Sequence, residues 1–343
     1  MKIVSLSSMD KQFITNLKLS LNSAQKVVII PHKNPDGDAL GSALAWMHFL
    51  LEKNHEAIII SPNDYPDFLK WLPGENSILK YTIYPKEVRK KLEEATLIFT
   101  LDFNVLSRCG DLEPLVKKSS AHKIMIDHHE NPGSYAFLKY SDPKMSSTCE
   151  MIYHLINSLD KNLFLPKIAQ CLYTGIMTDT GSFRYPATTS ATHRAIAHLV
   201  EEGADGDQIH QKIYDSSSFS RLKLLGITLS NMTQIKDLPI VYLTLSQEEL
   251  NSCGYKKGDT EGFVNYGLSL DGITFSCIMI ENESDGIIKM SFRSQGDFSV
   301  NDFARTFFNG GGHHNAAGGM SELSLQETIL QFQQAIKEIK NKF

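Results

Sequence analysis

Eight acids and histidines fall in four short stretches of the sequence. They are His32, Asp36 and Asp38 in "HKNPDGDALGS", Asp102 in "FTLDFN", Asp127, His128 and His129 in "IDHH", and Asp179 in "GIMTDTGSF". Taken singly, each has a plain explanation: an Asp after a strand usually caps a helix or holds a turn. Four such stretches are harder to explain as independent caps, because gathered carboxylates repel one another unless something positive lies between them. Asp36, Asp38, Asp102 and Asp179 bring four negative charges, which two divalent cations would cancel. Two cations about 3.5–4 Å apart that share a carboxylate form a clamp for displacement at phosphorus. Carboxylate and imidazole donors without thiolate favour Mn²⁺ or Mg²⁺ over softer metals. Gly37, between two of the acids, lets the chain turn so that they aim at different points.

These residues need a frame, and the hydrophobic pattern supplies one. Apolar runs at 26–32 ("KVVIIPH"), 57–61, 97–102 and 122–127 read as strands. They alternate with helical patterns at 39–54, which is apolar nearly all round, and at 146–159, where Ser147 and Glu150 stand at capping-box spacing. Strands buried on both faces and alternating with helices predict an α/β domain with a mostly parallel sheet flanked by helices. Ligands of such sheets bind beyond the carboxyl ends of the strands. Asp36, Asp38, Asp102 and Asp127 fall at those ends.

The character changes after a helical stretch. Strands at 239–246, 273–282 and 287–294, the last two joined by "ESDG", predict a smaller α+β domain that ends in a helix with Ser324 and Glu327 at capping-box spacing. We expect domains at 1–215 and 237–343 with a helical linker at 216–236. Within the second, "FFNGGGHHNAAGG" reads either as a flexible turn or as an anion cradle, with Gly310, Gly311 and Gly312 exposing backbone N–H groups and His313 adding a donor. Arg293, at a strand end, could pair with a phosphate bidentately.

At 343 residues, two domains is the sensible prior. A net charge of −5 argues against coating nucleic acid through bulk positive charge, though not against a small anionic substrate. Five scattered cysteines without CxxC spacing point to reduced thiols rather than a disulfide or zinc framework. Neither a signal sequence nor a membrane-length apolar run is evident, so a cytoplasmic protein without membrane association is expected.

The stretches "HKNPDGDALGS", "LDF", "IDHH" and "GIMTDTGSF" resemble, in order, the motifs of the DHH phosphoesterase superfamily. "GGGHHNAAGG" is similar to the signature of the DHH-associated C-terminal domain. Within the superfamily the chain looks most like the NrnA group of oligoribonucleases and phosphatases of 3′-phosphoadenosine 5′-phosphate (pAp). The resemblance implies that His32, Asp36 and Asp102 hold one metal, and that Asp38, Asp102, His128 and Asp179 hold the other. It also implies that Asp127 orients a histidine, that His129 faces the scissile phosphate, and that Asn265, with Arg293 and His313, contacts substrate. The implied activity is hydrolysis of very short RNA, dinucleotides and pAp by two-metal activation of water, with Mn²⁺ the expected ion. The alternatives are a phosphodiesterase for linear or cyclic dinucleotides and, from a different class, a non-catalytic nucleotide sensor. No long duplex nucleic acid is expected as a partner, and a homodimer is among the assemblies the sequence allows.

Overall fold

Val27, Ile29, Val28 and Ile30 alternate between the two faces of one strand, yet all four are buried, which requires helices on both sides of the sheet. A computed structural model describes residues 8–215 and 217–340. The chain divides after residue 216 into two compact units, and each is built on a six-stranded sheet.

In the first unit the strands are β1 (Lys26–Pro31), β2 (Glu56–Ser61), β3 (Leu79–Lys80), β4 (Leu97–Leu101), β5 (His122–Asp127) and β6 (Leu138–Ser141). All are parallel, in the order β3-β2-β1-β4-β5-β6. The helices are α1 (Ser8–Ser20), α2 (Gly37–Glu52), α3 (Pro85–Glu94), α4 (Glu113–Lys118), α5 (Thr148–Asp160), α6 (Pro166–Asp179), α7 (Ser190–Glu201) and α8 (Gly206–Tyr214). One face of the sheet packs on α1, α2, α5 and α6, the other on α3 and α4. The four strands expected from apolar runs are present. β3 and β6, short edge strands, complete the sheet.

The chain runs outward in both directions from the β1–β4 pair, so a crevice opens at their carboxyl ends. α2 and α6 close on one another there through small residues. A side chain at Gly41 would lie 2.5 Å from the Cys171 carbonyl oxygen, and one at Gly175 would lie 2.1 Å from Cys149 Sγ and 3.0 Å from Asp38 Oδ1. That close approach brings the start of α2, with Asp38, toward the end of α6, with Asp179. Trp46, Phe49 and Leu50, fully buried on α2, anchor the arrangement, each adding roughly 1.5–3 kcal/mol.

The N-terminus of α5 differs from the expected capping box in one respect. The Ser147 side chain accepts the Glu150 N–H at 3.0 Å, but the Glu150 carboxylate turns instead to the hydroxyls of Ser146 and Thr192. Only half of the box forms, because those two hydroxyls offer Glu150 a buried alternative.

In the second unit the strands are β7 (Thr233–Gln234), β8 (Ile240–Leu245), β9 (Phe275–Asn282), β10 (Ile287–Ser294), β11 (Gly311–His313) and β12 (Ala316–Ser321), in the order β11-β12-β10-β9-β8-β7. The sheet is antiparallel except for the β8–β9 pair. Helices α9 (Phe219–Ser230) and α10 (Gln247–Ser252) and a 3₁₀ segment at Phe263–Ser269 cover one face. Helices α11 (Val300–Phe307) and α12 (Leu325–Glu338) cover the other. α9, which falls within the expected connector, buries Leu224 against Leu243, Leu245 and Phe263. The capping box at Ser324 and Glu327 forms in full.

All five cysteines are unpaired and buried. Among the described residues, no helix is long and apolar enough to cross a membrane.

Candidate functional site

The crevice at the ends of β1 and β4 gathers His32, Asp36, Asp38, Asp102, His128 and Asp179. Asp36 is both the cap of α2 and part of this group. Its Oδ1 accepts the N–H groups of Asp38 and Ala39, while Oδ2 lies 3.7 Å from His32 Nε2. Asp102 stands between the histidines: Oδ2 is 3.4 Å from His32 Nε2, and Oδ1 is 3.5 Å from His128 Nε2. Asp38 Oδ2 and Asp179 Oδ2 approach the same His128 nitrogen at 3.8 and 3.3 Å. Two sets of donor atoms, one from His32, Asp36 and Asp102 and the other from Asp38, Asp102 and His128, each lie within 4.8 Å of one another, and Asp102 belongs to both.

The proton inventory shows what this arrangement suits. His32 Nδ1 faces the Lys33 carbonyl at 2.8 Å, and His128 Nδ1 faces the Met145 carbonyl at 3.2 Å. A carbonyl only accepts, so both Nδ1 atoms carry hydrogen, and Nε2 is the ring nitrogen that each histidine turns toward carboxylate oxygens. Histidine ligands commonly anchor their other ring N–H on a carbonyl in this way. Lone pair facing lone pair in a buried site is repulsive unless a proton or a cation lies between, and no thiolate joins the set. The donors therefore fit hard or borderline divalent cations.

The titration behaviour follows from the same crowding. Burial opposes a charge on His32, but hydrogen bonding to Asp102 and Asp36 outweighs it and raises the pKa to about 10. Burial raises the Asp38 carboxyl well above its ordinary value, and the charges of Asp102 and Asp179 push it the same way. Asp179 rises to about 7, chiefly through burial and then through Asp102 and Asp36. It sits at the last residue of α6, where the helix dipole disfavours an anion. For Asp102 burial acts upward too, but contacts with His128 and His32 prevail and hold it well below the carboxylate range.

Some contributors were not foreseen. The N–H groups of Thr148 and Cys149, in the first turn of α5, donate to the two oxygens of Asp38 at 2.7 and 2.8 Å, and the Thr148 hydroxyl donates to Asp102 Oδ1 at 3.0 Å. A helix start is a natural cradle for a carboxylate. The capping signal at 147–150 was the available hint. Asp102 itself adopts a left-handed backbone, φ 65, which is uncommon for a residue with a side chain and aims it inward.

Asp127 and His129 stand beside this cluster. Both are buried, and Asp127 Oδ1 accepts from His129 Nδ1 at 2.7 Å. Asp127 Oδ2 is buried without a hydrogen-bond partner among the described residues.

In the second unit, cross-strand register places Ser276, Arg293, Ala316 and His313 side by side on β9, β10, β12 and β11. Directly opposed residues share a sheet face, so Arg293 and His313 flank the small Ala316. The Ser276 hydroxyl donates to the Val264 carbonyl at 2.7 Å, which brings the neighbouring Asn265 to that same face. The glycines of "GGGHH" behave differently from an open cradle. The Gly310 N–H donates to the Ala304 carbonyl at 3.1 Å and the Gly312 N–H to Asn301 Oδ1 at 2.9 Å, so both are engaged within the domain. Glycine is needed at 310 because a side chain there would lie 1.9 Å from the Gly318 carbonyl oxygen.

Residues 26–176 match the DHH family, N-terminal domain, and residues 234–342 match the DHHA1 domain. A Thermus thermophilus protein named bifunctional oligoribonuclease and PAP phosphatase NrnA is 30% identical over 313 residues, 91% of this chain and 89% of that one. The chain belongs to the DHH family. A Bacteroides fragilis crystal structure, described as an exopolyphosphatase-related protein, superposes with a TM-score of 0.93 at 40% identity, covering 99% of each chain. A Bacillus subtilis protein named cyclic-di-AMP phosphodiesterase GdpP is 28% identical over 333 residues, which is 94% of this chain but 49% of that protein.

Proposed function

We propose that this chain is a metal-dependent phosphoester hydrolase that cleaves very short oligoribonucleotides and removes the 3′-phosphate of pAp. The observation that carries the reading is the Asp102 carboxylate shared between two imidazole–carboxylate groups at the carboxyl edge of the sheet. The NrnA relative, similar over nearly the whole of both chains, supports the substrate class.

On this reading His32, Asp36 and Asp102 hold one divalent ion, and Asp38, Asp102, His128 and Asp179 hold a second, with Mn²⁺ the expected species. The chemistry such ions supply when bound is Lewis acidity toward phosphoryl oxygens and activation of water near neutral pH. The protein's own groups do the rest. The N–H donors of Thr148 and Cys149 fix the Asp38 carboxylate. Asp127 holds His129 in the tautomer that carries hydrogen on Nδ1, so that Nε2 faces the phosphate and can hold or deliver a proton there. Arg293 and His313, one on each side of Ala316, bind the nucleotide in the second unit, with Asn265 and the Gly310–Gly312 segment beside them.

A product time course tests the assignment. With Mn²⁺ present, end-labelled RNA from dimer to heptamer, pAp, a cyclic dinucleotide and inorganic polyphosphate are supplied in parallel. Rapid conversion of dimers and pAp, declining with length, is the expected result. Inactivity on dimers would sink the oligoribonuclease assignment, and turnover of the cyclic dinucleotide alone would favour the activity named for the GdpP relative.

A further inference from the structure

Arg108 lies in the 3₁₀ segment Leu106–Leu112 that follows Asp102, and no motif singles it out. Its Nη2 sits 3.5 Å from Nε2 of His129, the imidazole aligned by Asp127. At that separation the contact is at the outer edge of hydrogen bonding, so the guanidinium is oriented toward the imidazole without being committed to it. The side chain is half-buried and forms no ion pair among the described residues; Asp127 and Asp102 approach the other ring nitrogen, Nδ1, at 2.7 and 3.8 Å.

The backbone around Arg108 is tied down from two directions. The Lys33 N–H donates to the Arg108 carbonyl at 2.7 Å, which fastens this turn to the stretch that carries His32 and Asp36. Asn104 Nδ2 donates to the Glu130 carbonyl at 2.6 Å, which fastens it to the stretch that carries His128 and His129. Gly110, at φ 57, breaks the segment where a side chain would lie 2.8 Å from Lys33 Cδ. A cation is thus held on a built turn beside the catalytic histidine, with planar N–H donors suited to a phosphoryl group.

We infer that Arg108 is a substrate-binding residue that takes the oxygens of the phosphate being cleaved, alongside His129. The inference rests on the phosphoester reading above but not on which nucleotide is cleaved. Its action is electrostatic: a fixed guanidinium offsets charge on the phosphoryl oxygens as the bond to the leaving oxygen breaks.

The test uses the full-length Mn²⁺-loaded protein and its Arg108→Met and Arg108→Lys variants. Three quantities are measured: affinity for orthophosphate by calorimetry, and kcat/KM on bis-para-nitrophenyl phosphate and on pAp. The inference predicts that Arg108→Met binds orthophosphate at least about tenfold more weakly and loses about 10²–10³-fold in kcat/KM on both esters. Arg108→Lys should recover part of each, and the thermal midpoint and Mn²⁺ uptake should match the parent. Orthophosphate affinity unchanged in Arg108→Met, with kcat/KM within about twofold of the parent on every ester the parent cleaves, overturns it. A parent that cleaves the generic diester but neither pAp nor dinucleotides refutes the proposed substrate class while still testing Arg108. The calorimetry tests Arg108 even without turnover.

Discussion

Asp127 and His129 are adjacent to the cluster of candidate metal-binding side chains, yet they hydrogen-bond to each other, at 2.7 Å. If Asp127 acts only by holding the imidazole, the two residues form one functional unit, and losses at the two positions should not add. We therefore predict that Asp127→Asn and His129→Asn each lower kcat by about 10²–10⁴-fold. The double variant should fall no further than His129→Asn alone, and Mn²⁺ affinity should change little in all three. Multiplicative losses would show that Asp127 acts independently of the imidazole. At this scale the sequence was informative about side chains and silent about backbone. The acids could be read because their types and strand-end positions are visible in the chain. The carbonyls of Lys33 and Met145, which set the histidine tautomers, and the N–H groups of Thr148 and Cys149, which hold Asp38, belong to every residue alike and carry no signature.

Among the elements, α5 is held in place by a buried anion. Burial opposes the charge on Glu150, but His154 and the hydroxyls of Ser146 and Thr192 prevail and lower its pKa. Because the folded carboxyl titrates below the unfolded one, its stabilisation is complete above the ordinary carboxylate range and is lost as pH falls through the depressed value. Glu150→Gln should cost about 1–3 kcal/mol in urea unfolding at neutral pH, and the gap from the parent should narrow as pH falls below the ordinary carboxylate range. A gap independent of pH would refute the role assigned to the charge. The α2–α6 contact gives a second prediction. Gly175→Ala places a methyl group against Cys149 Sγ and Asp38 Oδ1. We expect a loss of about 1–3 kcal/mol in stability, from overpacking, together with weaker Mn²⁺ uptake as Asp38 shifts. Unaltered uptake and stability would mean that the helices yield freely there. Long buried strands and the apolar α2 were legible from pattern alone. β3, with two residues, has no pattern to show, and β11 and β12, read from "GGH" and "AAGGMS", lack the β-branched residues that mark strands. Their glycines, which read either as a flexible turn or as an anion cradle, also permit close strand packing, since a side chain at Gly310 would meet the Gly318 carbonyl oxygen.

For the whole molecule, the central claim is that one carboxylate joins two cation sites and that hydrolysis depends on it. Family membership and the sharing of Asp102 between two sets of side chains were both implied by the ordered motifs, whereas the distances that join His32 and His128 through Asp102 follow from β1, β4 and β5 lying side by side. The most direct measurement is the initial rate of diribonucleotide hydrolysis as Mn²⁺ is added to chelator-stripped protein, for the parent and for Asp102→Asn. The account predicts no turnover without metal, full activity in the parent as Mn²⁺ saturates, and a loss of at least about 10³-fold in Asp102→Asn at every Mn²⁺ concentration. Turnover by the stripped parent, or an Asp102→Asn variant as fast as the parent, would contradict it.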